Sequence, residues 1–191
     1  MRVKDDKKHI AICEAAIKLI YTNGFADTSM SKIAKEANVS SSTIYVYFDN
    51  KEDMLNKVFI YAKGKLYKVL ISGIDFHAPT KGIFKAMFYN YYELTLKDPI
   101  LYSFCEQFVN SPLIKKISQN DLDDITAELN QVIEKGTKEK ILIKEKPHLI
   151  SILFFSPLVV YFKQMVEYNQ KVNKADVDRL YELSWRSISR V

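Results

Sequence analysis

The tightest constraint on this chain is a corner. Residues 28–51, TSMSKIAKEANVSSSTIYVYFDNK, read as two short helices joined by a tight turn, with a third helix starting at once. Thr28 is placed to cap the first helix, its hydroxyl accepting from an orphan amide of the next turn. Ile33, Ala34 and Ala37 then recur at helical spacing and form an apolar face. Asn38 tolerates the left-handed conformation required just past a helix end, and Val39 plugs the corner. Ser40 is a second cap, and its helix opens on Ser41, Ser42 and Thr43. Ile44 and Phe48 share one side of it, while Tyr45, Val46 and Tyr47 lie elsewhere around its circumference.

A small, polar leading edge on the second of two short helices is what a major-groove reader needs. The groove is about 12 Å wide, and the residues at the helix N-terminus come closest to the base edges. Serine and threonine there exchange hydrogen bonds with bases and phosphates, and the helix N-terminus adds free amides and positive dipole. Tyrosine rings ending in a hydroxyl reach backbone oxygens beside the groove. The candidate contacts are Thr28, Ser29, Ser40, Ser41, Ser42, Thr43, Tyr45 and Tyr47. A plain helical corner with a serine-rich turn has the same outline, and Lys51 tips the balance. Asn50 and Asp53 look like a capping box, so Lys51 falls in a first helical turn, where its charge opposes the dipole. An external phosphate would account for it.

Residues 10–59 resemble the DNA-binding domain of the tetracycline-repressor (TetR) family of bacterial transcription regulators. The matching pieces are Asn23-Gly24-Phe25, Thr28, Ile33-Ala34 and Ala37, then Val39-Ser40, Thr43-Ile44-Tyr45, Tyr47-Phe48, Lys51 and Leu55. The family often has glycine where Asn38 and Ser42 stand. Asn38 supplies the same turn geometry, whereas Ser42 puts a side chain where glycine would allow the closest approach to DNA. The resemblance implies a dimer on a palindromic operator, released by a small-molecule effector, with repression as the default output.

The chain has 191 residues, is 48% hydrophobic and holds only 5 Gly and 5 Pro, which favours long, uninterrupted helices around a real core. Its net charge of +5 is spread thinly: residues 1–65 carry 11 Lys and Arg against 8 Asp and Glu, and the remainder 17 against 15. That supports a polyanionic partner only weakly. Arg2, Lys4, Lys7 and Lys8 could touch adjacent DNA backbone. Cys13 and Cys105 each sit in an apolar helical pattern, as buried thiols of a reducing cytoplasm would. The N-terminus has no apolar stretch of a signal peptide, and the uncharged run 149–162 is shorter than the roughly 20 residues of a membrane span. A cytoplasmic protein with no membrane partner is expected.

The expected fold is all-α. A three-helix helix-turn-helix domain occupies residues 1–50, a linking helix 51–72, and a larger helical effector-binding and dimerisation domain 73–191. The first helix begins at His9 and stops at Asn23-Gly24. Later helices are expected at 80–96, at 100–110, over 113–135 closing at Gly136, from Pro147 to about Tyr168, and from about Lys174. The Pro147 helix is apolar nearly all round, as a helix buried on several sides would be. With the last helix it is expected to form a symmetric homodimer interface. Phe84, Phe88, Tyr91, Tyr92, Phe104 and Phe108 are candidates for lining a pocket for an apolar or aromatic effector, or else are core.

No catalytic, cofactor or metal site is expected. His9, His77 and His148 have no ligand spacing, and no phosphate loop or nucleophile elbow appears. The competing reading is a helical ligand-binding or protein-interaction module that does not read specific DNA.

Overall fold

Caps and left-handed turns decide where the helices begin and end in the computed structural model, which describes residues 6–190. Arg2 and Lys4 lie outside the described residues. Helix α1 (Asp6–Asn23) starts earlier than expected and buries Ile12, Cys13, Ala16, Ile17 and Ile20 along one stripe. Gly24, at φ 76°, turns the chain back, and its amide donates to the Ile20 carbonyl at 2.8 Å. Helix α2 (Met30–Glu36) ends at Asn38, whose φ of 53° is the left-handed turn expected of it. The Val39 amide closes that turn by donating to the Ala34 carbonyl at 2.9 Å. Helix α3 (Ser41–Tyr47) follows, and then α4 (Lys51–Leu70). The Asn50 side chain accepts from the Asp53 amide at 2.9 Å, while the Asp53 carboxylate accepts from the Asp49 amide at 3.0 Å.

Two further helices open on side-chain caps or proline: α5 (Thr80–Lys97) follows Pro79, and Asp98 caps α6 (Pro99–Val109) through the Leu101 amide at 3.1 Å. The single long helix expected over 113–135 is broken in three. A 3-10 turn (Pro112–Lys116) comes first, then α7 (Gln119–Ile125) and α8 (Ala127–Lys138). The breaks fall at Ser118 and Thr126, hydroxyl residues whose side chains compete for the backbone hydrogen bonds a helix needs. Helix α9 (Pro147–Glu167) continues past Pro157, and α10 (Lys174–Ile188) is capped by Asn173.

By packing, the described residues form two units. The first combines residues up to Tyr67 with 98–125, and the second combines 68–97 with 126–190. Residues 98–125, expected in the second domain, therefore pack with the first. The reason is aromatic: Phe108 of α6 stacks on Phe59 with ring centroids 4.1 Å apart and meets the Phe25 edge at 5.8 Å. Glu14 ties α1 to α4 as well, accepting from the Tyr61 hydroxyl at 2.6 Å and from Lys65 at 2.9 Å.

In the second unit, Phe84 and Phe88 of α5 meet Phe154 of α9 at 4.8 and 5.5 Å, and Tyr181 and Trp185 of α10 complete the cluster. Gly136 does not close α8 but sits inside it, where Thr80 and Leu142 crowd its Cα. Residues 141–143 then pair with the end of α10 through one antiparallel bridge, Leu142 with Ser189. The Ile143 amide donates to the Ile188 carbonyl at 2.9 Å and the Arg190 amide to Ile141 at 2.8 Å.

Candidate nucleic-acid interface

Helix α3 presents its serine-rich edge to solvent. Ser40 caps it as expected: its hydroxyl accepts from the Thr43 amide at 3.2 Å and lies 2.7 Å from Thr43 Oγ1 and 2.9 Å from Ser42 Oγ. Ser41, Ser42, Tyr45 and Val46 are exposed, and Tyr45 is open to 59%. Ile44 and Phe48 are buried beneath and hold the helix down on the first unit. The outward arc offers hydroxyls and one large ring, without an acidic residue to repel phosphate.

The structure reassigns one expected cap and gives three of the expected contacts neighbours within the chain. Thr28 does not cap α2: it is 1% exposed and its hydroxyl donates to the Gly24 carbonyl at 2.8 Å, securing the turn after α1. The cap is Ser29, one residue later, which accepts from the Lys32 amide at 3.3 Å. Tyr47 is 7% exposed, its ring 5.8 Å from His9 and 6.3 Å from Phe48. Tyr47 follows buried Ile44 by three positions, so the helical period carries it to the inner face. Lys51 needs no external anion to explain it, because its ammonium donates to the Phe25 carbonyl at 2.8 Å. Lysines around the corner are similarly anchored, Lys32 on the Asp27 carbonyl at 2.7 Å and Lys18 on Glu36 at 2.6 Å.

The six aromatics nominated for an effector pocket divide between the units. Phe104 and Phe108 belong to the first cluster, with Phe25 and Phe59. Phe84, Phe88, Tyr91 and Tyr92 lie in the second, where Tyr91 meets Phe155 at 6.0 Å and Tyr92 stacks on Phe162 at 5.9 Å. Within each cluster the rings pack face or edge against one another. Both thiols are buried, and burial pushes Cys13 up to about 12 and Cys105 up to about 11. Among the described residues, no group of three His, Cys, Asp or Glu side chains could hold a metal ion.

Helix α9 is left uncovered along one side. Only Ile150, Phe154, Leu158 and Phe162 are buried, while Leu149, Ile152, Leu153 and Val160 stand exposed on the other side. By length and composition this helix could also cross a membrane. A groove of ≈ 530 Å³ runs along the outer face, between Leu153, Pro157, Val160 and Leu180. All-round apolar character reads as burial within the chain, yet a face kept for a second chain carries the same pattern.

Residues 12–58 match the family model of bacterial regulatory proteins of the tetR family, and 79–189 match the tetracyclin repressor-like C-terminal domain. The fatty acid metabolism regulator protein of Bacillus subtilis is 39% identical over 74 residues, 39% of this chain and 38% of that one. An uncharacterized HTH-type transcriptional regulator of Haemophilus influenzae is 30% identical over 109 residues, 57% of this chain and 58% of that one. The matches thus span under two thirds of either relative. Among solved structures, the Bacillus subtilis transcriptional regulator FadR in complex with stearoyl-CoA superposes with a TM-score of 0.74. That pair is 25% identical over 92% of this chain and 97% of the other.

Proposed function

The chain belongs to the TetR family of bacterial transcription regulators, and from that premise we propose that it represses genes as a homodimer on a palindromic operator. The observation that carries this reading is the outward arc of α3, where Ser41, Ser42 and Tyr45 project from a helix pinned by Ile44 and Phe48. One such helix in one groove discriminates poorly, whereas two related by symmetry add their energies over half-sites about one helical turn apart. The exposed apolar side of α9, flanked by Leu180 and Leu183 of α10, is the surface for the second copy. A DNA-bound protein of this kind works in the cytoplasm.

The DNA contacts are Ser29, Ser40, Ser41, Ser42, Thr43 and Tyr45. Thr28, Tyr47 and Lys51 shape the corner from behind, and the ammonium of Lys51 keeps further hydrogen-bonding capacity for phosphate. The effector is an apolar small molecule, and long-chain acyl-CoA is the first class to try, given the FadR complex and the fatty acid metabolism regulator among the relatives. Residues on either side of Tyr67 belong to different units, so an effector that alters α4 alters the spacing of the paired α3 helices. Swinging that equilibrium from 1:99 to 99:1 takes about 5.5 kcal/mol of preference for one state.

Selection of bound fragments from random duplex DNA tests the proposal. A palindrome bound with a steep salt dependence establishes reader, symmetry and spacing together. Binding no stronger than to any polyanion would instead favour a ligand-binding module that reads no specific sequence.

A further inference from the structure

One exposed residue on the reading helix has a side chain that can make no hydrogen bond. Val46 is 42% open to solvent at the end of an arc whose other members, Ser41, Ser42 and Tyr45, all end in a hydroxyl. Valine is a poor helix former, and here it gains little from burial, so neither propensity nor core packing explains it. With 3.6 residues per turn, Val46 follows Ser42 on the same side of the helix, roughly 6 Å further along the axis. Whatever Ser42 faces in the groove, Val46 faces about two base pairs away.

The chemistry of the groove limits what Val46 can meet there. Base edges in the major groove present hydrogen-bond donors and acceptors, with one apolar exception: the C5-methyl group of thymine. Helix α3 also contains no Arg, Lys, Asn or Gln, the side chains that pair bidentately with guanine or adenine. Its hydroxyls accept or donate to any base and so discriminate weakly. The strongest preference this surface can express is therefore apolar.

We propose that Val46 is a specificity-determining residue that packs on a thymine methyl, and that each operator half-site has this thymine in its α3-facing core. The proposal rests on the operator-binding reading above and adds the base that is read. Tyr45, larger and beside it, seals the contact from solvent on the strand side.

The test uses the full-length protein and a duplex selected from a random library. Each thymine of the half-site is replaced in turn by deoxyuridine, which lacks only the methyl. Affinity is then measured by fluorescence anisotropy at fixed salt. At one thymine the wild-type protein should lose about fourfold per half-site, the ratio that one methyl's worth of buried apolar surface carries. Val46→Ala should show that loss on the thymine duplex already and no further loss on the deoxyuridine one. Alanine favours the helix, so the variant folds, and circular dichroism verifies it. A selected half-site that tolerates every deoxyuridine overturns the assignment while leaving the operator reading intact. So does a Val46→Ala protein that remains sensitive to the methyl. Failure to select any sequence removes both.

Discussion

Replacing Gly136 by alanine should destabilise the protein, although the residue lies inside α8, where alanine is ordinarily better by about 1 kcal/mol. A Cβ at position 136 would lie 2.8 Å from Thr80 Cγ2 and 2.9 Å from both Leu142 Cγ and Cδ1. Neither neighbour can easily withdraw. Thr80 is fully buried in the first turn of α5, and the Leu142 amide is held by the Gly136 carbonyl itself at 3.0 Å. Overpacking costs about 1–3 kcal/mol, and three contacts under 3.0 Å put this case at about 2–3 kcal/mol, so the clash outweighs the gain in helix propensity. The net loss should be about 1–2 kcal/mol, a drop in Tm of about 3–6 °C for a chain of this size. Gly64→Ala is the matched control, because α4 surrounds it and its Cβ would meet nothing within 4 Å. That variant should gain up to ~1 kcal/mol. Calorimetry on the two proteins should give opposite signs. A Gly136→Ala protein as stable as the wild type would refute the close approach of α8 to Thr80 and Leu142.

Lys51→Met removes the hydrogen bond to the Phe25 carbonyl and should cost about 1–2 kcal/mol of stability without DNA present; an unchanged Tm would mean that the amine serves DNA alone. Aspartate at both Leu153 and Val160 would place unpaired carboxylates in the proposed dimer contact and should yield monomers in sedimentation; a persisting dimer would put the interface elsewhere. Burial raises the Cys13 and Cys105 thiols, so both should resist alkylation at pH 8 until the chain unfolds. Above about pH 9 the unfolded thiols lose protons that the folded ones keep, so stability should fall with rising pH, by about 1.4 kcal/mol per unit for each thiol. Stability that stays level between pH 9 and 11, followed by denaturant titration, would contradict the burial.

Much of the corner was legible before any coordinates. Asn38, Ser40 and Asn50 act over three or four residues, through a φ angle or one side-chain bond, and such local chemistry is visible in the chain itself. The hydrogen bonds of Thr28 and Lys51 were not legible, because their partners, the Gly24 and Phe25 carbonyls, belong to a turn whose course depends on how α1 packs. The pattern of Phe84, Phe88, Phe104 and Phe108 marked them as interior, yet could not divide them between two clusters. That division follows from which helices meet.

Residue order alone sufficed for an all-helical chain with a serine-led reader, since helical periodicity and capping are properties of neighbours. Folding in three dimensions decided that Tyr47 turns inward and Tyr45 outward, that Gly136 marks a close contact instead of a helix end, and that α9 leaves one apolar side uncovered. Each depends on what stands opposite, and burial is a relation between segments far apart along the chain.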